Sequence, residues 1–115
     1  MIRKPVYLTI DDAPTKDFQA KIEYLSSRAI PALIFSIGEH IQAYPDALIY
    51  AIRRGYVIGN HSYSHPHFSD LPLDACYEEI VNTDTLLKEL YQRAEVARPA
   101  KIFRFPYLDK GGHQN

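Results

Sequence analysis

The stretch ALIFSI at residues 32–37 is a nearly continuous apolar run that follows Pro31 and ends at Gly38. A run this short, bounded by two residues that interrupt regular structure, predicts a β-strand covered on both of its faces. Strands of that kind are typical of parallel sheets, in which helices form the crossover connections. The stretch therefore predicts helices before it and after it.

The segments on both sides of this run agree with that expectation. Apolar residues recur at helical spacing over residues 18–29, and again from Pro45 to a helix end at Arg53-Arg54-Gly55. A turn of helix is predicted over residues 39–44. Two further strands are predicted at residues 6–10 and 56–58. The alternation of strands and helices indicates βαβ units and hence a parallel sheet or barrel.

The second half of the chain continues the pattern with one long helix. Asp70-Leu71-Pro72 opens it, and helical phase holds through to about Ala94 for four apolar residues, Tyr77, Ile80, Leu87 and Leu90. Residues 101–105 predict a fourth strand, and residues 109–112 predict a turn. No repeat or linker interrupts this order, so we expect one domain.

Composition limits the classes of partner. The chain has 115 residues, 46% of them hydrophobic, which suffices for one modest core. Its net charge is -1 and its 13 Lys and Arg form no stripe, so nucleic acid is not an expected partner. Cys76 is the only cysteine, which excludes an internal disulfide and a zinc site built from Cys pairs, and predicts a small core residue. The start of the chain lacks the apolar stretch of a signal peptide, so as written we expect no membrane partner and a cytoplasmic location.

Reactive side chains follow three of the four predicted strands, at the end where parallel-sheet proteins place their active sites. Asp11 and Asp12 follow the first strand, His61 and His65 follow the third, and Arg104 with Tyr107 ends the fourth. The two histidines are four residues apart, so a helical turn or tight loop would bring both rings to one side. One Asp oxygen and two His nitrogens could hold a divalent metal and leave positions open for water and substrate.

Simpler explanations and rival motifs exist for these residues. A His-x-x-x-His pair taken alone is more often a solvated loop, and an Asp pair often caps a helix. Ser62 stands where a His-Glu-x-x-His protease needs Glu, and the single Cys excludes the zinc deaminases. The facial triad of iron oxygenases remains an alternative, although its carboxylate usually follows the first His closely.

Three motifs carry a resemblance to a known family. The segments TIDDAP at residues 9–14, HSYSH at residues 61–65 and RFPY at residues 104–107 resemble the first three motifs of the polysaccharide deacetylases. This is the NodB-homology family, also called carbohydrate esterase family 4, and the similarity runs from about residue 6 to residue 112. Ile10 replaces the family's usual Phe, and Ala13 replaces its usual Gly. Neither change removes a candidate ligand.

The resemblance implies an α/β fold, the N-terminal half of a deformed (β/α) barrel, with residues 1–115 forming a partial catalytic domain. It implies metal-dependent removal of N-acetyl or O-acetyl groups from a polysaccharide or amino sugar. It assigns metal binding to Asp12, His61 and His65, and the general base to Asp11. Zn²⁺ is the expected ion, with Co²⁺, Mn²⁺ or Fe²⁺ as alternatives. The family also suggests an extracytoplasmic location.

The same resemblance assigns three further residues. Arg104 would orient the base, the backbone N–H of Tyr107 would donate to the oxyanion, and Pro106 with Tyr107 would contact substrate. His40 and His67 have no counterpart in the motifs, and we expect them to be loop or supporting residues.

The family's two later motifs, which hold an Asp behind the arginine and a His that protonates the leaving amine, have no match in this sequence. His113 lies too close to the third motif to be that His. We therefore expect half of a barrel, with an open strand edge that favours self-association. Two alternatives to the deacetylase remain: a hydrolase of another C–N amide bond, of the cyclic ureide or imide type, and an inactive fragment.

Overall fold

Three parallel strands form the sheet of the computed structural model, which describes residues 8–109. In chain order they are β1 (Leu8–Ala13), β2 (Ala32–Ser36) and β3 (Val57–Asn60), and β2 lies in the centre. Both pairings are parallel. The apolar run at residues 32–37 thus contains a strand, as predicted, and Ile34 and Phe35 within it are buried.

Within the described residues, four helices connect and cover these strands. They are α1 (Phe18–Ser27), α2 (Gly38–Ala43), α3 (Pro45–Arg53) and α4 (Leu73–Ala94), and short 3₁₀ turns lie at Phe68–Asp70 and Pro106–Leu108. The ends follow from local chemistry. Pro45 opens α3, where its missing N–H costs nothing, and Gly55 just beyond α3 has φ +89°, which glycine tolerates best. The predicted helices are confirmed with small shifts at their ends.

The core lies between the sheet and the helices, and α4 packs on α3 and β3. Fully or almost fully buried apolar side chains fill this space, among them Ile22, Ile34, Leu48, Ile52, Ile58 and Leu87. The predicted apolar phase of α4 holds for Leu87 and Leu90 but is wrong for Tyr77, whose exposure is 68%. All the buried residues of α4 lie from Thr83 onward. The first turns of α4 therefore contribute little to the core.

The predicted strand at residues 101–105 is wrong as an extended element. Only one parallel bridge forms, between Asn60 and Phe103, through the hydrogen bonds Asn60 N–H to the Ile102 carbonyl and Arg104 N–H to the Asn60 carbonyl. Asn60 is the last residue of β3, so residues 104 and 105 have no residue of β3 to pair with, and among residues 8–109 no ladder extends the bridge toward residues 101 and 102. The segment still lies beside β3. Predictions that involve residues 6–7, residues 110–112 and His113 lie outside the described residues.

Strand β1 lies at the edge of the described sheet. Among residues 8–109 it pairs with β2 alone, and Leu8 at its start is 40% exposed. Unpaired edges of this kind can template association. Self-association of the chain stays a prediction.

Within residues 8–109, no helix combines the length and apolar character needed to cross a membrane.

A buried phenol ties α4 to the sheet and makes stability depend on pH. Tyr91 is 3% exposed, and its hydroxyl oxygen accepts a hydrogen bond of 3.1 Å from the N–H of Ile58. Burial raises the pKa of Tyr91, against smaller opposing effects of the Ile58 N–H and of Arg98. Because the unfolded phenol ionises first, stability should fall as pH rises from about 10, the ordinary tyrosine pKa, through the raised folded value.

We expect thermal melts at pH 8 and pH 11 to show this loss, and Tyr91→Phe to reduce the difference between the two. Tyr24→Phe, at an exposed position on α1, is the matched control. An unchanged pH difference in Tyr91→Phe would refute the assignment.

Candidate active site

Three ligand-type side chains meet at the carboxyl ends of the strands. Asp12 lies near the end of strand β1, and His61 and His65 lie just beyond β3. The Asp12 Oδ1 atom is 3.3 Å from His61 Nε2 and 3.2 Å from His65 Nε2. One donor atom from each residue falls within 4.8 Å of the other two. The structure therefore brings together the three residues predicted as metal ligands.

The hydrogen bonds around this cluster suit ligand roles. The side chain of His61 is 3% exposed, and its Nδ1 lies 2.7 Å from the Arg104 carbonyl oxygen, which can only accept. Nδ1 therefore carries a proton, and Nε2 is the ring nitrogen that faces Asp12 and would bind an ion. His40 Nδ1 lies 2.8 Å from the Asp12 carbonyl oxygen. One carboxylate and two imidazoles are a donor set that suits zinc and similar divalent ions, so the residues present fit the implied metal.

The backbone at Asp12 departs from strand geometry. Pairing with β2 shifts register between Asp11 and Ala13, which leaves Asp12 as an extra residue, and its φ is +68°. A bulge of this kind redirects a side chain that strict alternation would send to the other face. Two adjacent carboxylates can then have different partners near one point.

Asp11 has its own partner. Arg104 Nη1 donates to Asp11 Oδ1 at 2.9 Å and to Thr9 Oγ1 at 3.2 Å. The guanidinium carbon also lies 4.4 Å from the centroid of the Phe35 ring. Since the Arg104 backbone is bonded to β3 and its side chain reaches β1, it spans the central strand. The predicted pairing of Asp11 with Arg104 is present.

In the turn after Arg104, Tyr107 contacts two histidines and Pro106 is buried. Tyr107 is 59% exposed, its ring stacks on His67 with centroids 3.7 Å apart, and the His65 ring meets it edge-on at 4.7 Å. Pro106 is less than 2% exposed. Contact of Pro106 and Tyr107 with substrate stays a prediction, which the covered side chain of Pro106 does not favour.

The two other histidines within residues 8–109 have supporting positions. His40 lies in α2 and not in a loop, and it touches the Asp12 backbone. His67 lies in the loop, with Nδ1 at 3.7 Å from Asp109 Oδ2 and its ring on Tyr107. Asp109 also accepts hydrogen bonds from the N–H and hydroxyl of Ser69.

Sequence reasoning missed Glu79. This half-buried residue of α4 accepts hydrogen bonds from the N–H of Tyr63 at 3.0 Å, the N–H of Ser64 at 2.8 Å and the Ser64 hydroxyl at 2.9 Å. Tyr63 and Ser64 lie between the two histidines of the cluster. Glu78 beside it is exposed, and no local pattern in the sequence separates the two acids.

The arrangement limits the chemistry of the site. A carboxylate and two imidazoles at the carboxyl edge of a parallel sheet could hold a divalent ion, and a second carboxylate paired with arginine lies beside them as a candidate base.

Comparison with known proteins specifies the family. Residues 1–113 match the sequence profile of the family described as polysaccharide deacetylase. The peptidoglycan-N-acetylglucosamine deacetylase of Bacillus cereus is 34% identical over 103 residues, which are 89% of this chain and 36% of that protein. The chain belongs to the polysaccharide deacetylase family.

Solved structures agree. The structure of the Bc1960 peptidoglycan N-acetylglucosamine deacetylase matches with a TM-score of 0.80 and 31% identity, covering 90% of this chain and 46% of that one. A family 4 carbohydrate esterase from Streptomyces lividans, solved with acetate, matches with a TM-score of 0.79 and 29% identity, covering 95% and 53%. The mixed α/β fold with its parallel sheet is that of the N-terminal part of these enzymes. The chain thus spans about a third to a half of these three relatives.

Proposed function

We propose that the protein is a metal-dependent hydrolase that removes acetyl groups from N-acetylated sugars, with residues 1–115 as part of its catalytic domain. The convergence of Asp12, His61 and His65 beside Asp11 carries the proposal. The relatives support the substrate class, since they include enzymes named as deacetylases of peptidoglycan and chitooligosaccharides.

Asp12, His61 and His65 would hold the divalent ion, for which Zn²⁺ is our first choice and Co²⁺, Mn²⁺ or Fe²⁺ are alternatives. When bound, the ion would polarise the acetyl carbonyl and lower the pKa of the attacking water. The proton of Nδ1 on His61 fixes which nitrogen faces the ion. Asp12 supplies the negative charge that two neutral imidazoles lack.

Asp11 would act as the general base and accept the proton of the attacking water on a carboxylate oxygen. Arg104 donates to one of its oxygens at 2.9 Å, which fixes the carboxylate and leaves the second oxygen for the water. A carboxylate held in this way needs no further ordering when the proton is transferred. Removing Arg104 should therefore misplace the base without touching the ligands.

Tyr107 would serve the substrate in two ways. Its backbone N–H would donate to the oxygen of the acetyl carbonyl as negative charge develops there. Its exposed ring, which stacks on His67 and meets His65 edge-on, offers apolar surface to a sugar. The acetate in the related esterase agrees with acetyl transfer to water.

The chain spans only part of the length of its relatives, and this favours a second proposal. Residues 1–115 alone would bind the metal but hydrolyse the substrate slowly. A general acid is worth about 10²- to 10⁴-fold in rate, and none of the three matched motifs supplies one.

The test is acetate release from an N-acetylglucosamine oligomer, measured for this chain and for a version extended to the length of its relatives. We expect the extended version to be active with Zn²⁺ or Co²⁺, to lose activity with a chelator and to regain it when metal is restored. The short chain should be much slower. Activity of the extended version that persists after complete metal removal would refute the proposal, and hydrolysis of a cyclic imide in preference to the sugar would replace its substrate class.

A further inference from the structure

The loop that carries both imidazoles of the metal site has an unfavourable backbone. Ser62 has φ +72° and His65 has φ +61°. Residues other than glycine are uncommon at such angles, because the left-handed backbone is strained for them. Such a loop keeps its shape only where its surroundings hold it. The groups that hold it therefore determine where the two imidazoles lie.

The start of α2 and the end of β3 both form hydrogen bonds to the first half of this loop. At the beginning of α2, the N–H groups of Gly38 and Glu39 donate to the carbonyl oxygens of Ser62 and Tyr63 at 2.9 Å and 3.0 Å. The Asn60 side chain accepts from the N–H of Ser62 at 2.9 Å. These contacts fix the first half of the loop.

The hydrogen-bond donors in the middle of the loop bind a side chain of α4. Oε1 of Glu79 accepts from two consecutive N–H groups, those of Tyr63 and Ser64, and Oε2 accepts from the Ser64 hydroxyl. A single side chain thus satisfies three donors between His61 and His65. Gly38 lies close on another side, since a Cβ there would be 2.4 Å from the Tyr63 ring. The loop is held between α2 and α4.

We propose that Glu79 is a positioning residue that sets the separation of the two imidazoles and thereby the affinity of the site for a divalent ion. The inference rests on the proposed metal site. It assigns the effect to the geometry of the three hydrogen bonds and not to the charge of the carboxylate. Residues that orient metal ligands in this way typically change affinity by about 10- to 100-fold when removed.

The chain allows geometry and charge to be separated. Glu79→Gln keeps the length of the side chain: its carbonyl oxygen can accept both N–H groups, and its amide can donate to the Ser64 hydroxyl oxygen. Glu79→Asp keeps the charge but is one methylene shorter, so it cannot reach the same three donors. Glu79→Ala removes all acceptors. Glu78→Ala, at the exposed neighbouring position, is the matched control.

The experiment measures Zn²⁺ affinity of the full chain by competition with a chromophoric chelator, together with the visible absorption of the Co²⁺-loaded protein. We expect Glu79→Ala and Glu79→Asp to weaken Zn²⁺ binding by about 10-fold or more and to alter the Co²⁺ spectrum. Glu79→Gln should stay within about threefold of the unchanged chain, and Glu78→Ala should not differ from it. Circular dichroism before metal addition checks that each variant is folded.

Each outcome decides the inference. If Glu79→Ala binds as the unchanged chain does, or if Glu79→Gln loses as much as Glu79→Asp, Glu79 does not act through geometry. If Glu79→Ala does not fold, the comparison of Gln with Asp decides alone. The proposed metal site fails separately, when the unchanged chain binds no Zn²⁺ or when His65→Ala binds it equally well.

Discussion

Asp11→Asn should lower acetate release by the extended protein by about 10²- to 10⁴-fold while leaving its affinity for Zn²⁺ nearly unchanged, because a base acts in the chemical step. Asn keeps an oxygen that can accept the 2.9 Å hydrogen bond from Arg104, so the local structure should persist. What Asn lacks is the ability to take a proton. The measurement pairs a rate assay with a metal titration on the same sample.

His61→Ala is the contrasting variant, and it should lose metal and activity together. Its Nε2 lies 3.3 Å from Asp12, and its ring is the buried member of the three-residue cluster. Asp46→Asn, at a remote surface carboxylate with 92% exposure, is the control for general effects of removing an acid. Equal loss of Zn²⁺ from Asp11→Asn and His61→Ala would mean that the two adjacent acids have been assigned in the wrong order.

Leu87→Ala should lower the free energy of unfolding by about 2–5 kcal/mol, which is a large loss for a single substitution. Leu87 is fully buried in the part of α4 that packs on α3 and β3. Truncation removes apolar burial and leaves a cavity that the packed helices and sheet can close only in part. Urea unfolding followed by circular dichroism measures the effect.

The same helix provides the comparison. Leu73→Ala makes the identical chemical change in the first turn of α4, where the leucine is 87% exposed. We expect that variant to lie within about 0.5 kcal/mol of the unchanged chain. Similar losses at positions 73 and 87 would contradict the division of α4 into a surface half and a core half.

The elements that could be predicted from sequence are those whose signals are local. The run at residues 32–37 is nearly continuous in apolar residues because β2 lies in the centre of the sheet, where Ile34 and Phe35 on its opposite faces are both buried. Pro45 and Gly55 mark the limits of α3 because of their own backbone restrictions. Residues 101–105 show why such signals fail. Their composition suits a strand, but a ladder needs paired residues on a neighbouring strand, and within residues 8–109 this segment pairs with β3 only through Asn60 and Phe103.

The candidate site divides in the same way. Asp12, His61 and His65 could be placed together because the ends of parallel strands meet at one edge of a sheet. The contact of Glu79 with the loop at residues 61–65 could not be predicted, since it depends on how α4 packs against that loop. Nor could the burial of Pro106, which follows from packing and not from its neighbours in the chain.

The left-handed backbone at two of the three candidate ligands limits any redesign of the metal site. Asp12 and His65 have φ of +68° and +61°, and Asp, Asn and His are the residues other than glycine that tolerate such angles best. Glu at position 12 or Cys at position 65 would offer donor atoms that zinc accepts, but each would meet a backbone less suited to it. The backbone conformation thus restricts the choice of ligand residue at these two positions, independently of the metal. A substitution that keeps a suitable donor atom for the metal is not conservative for the backbone.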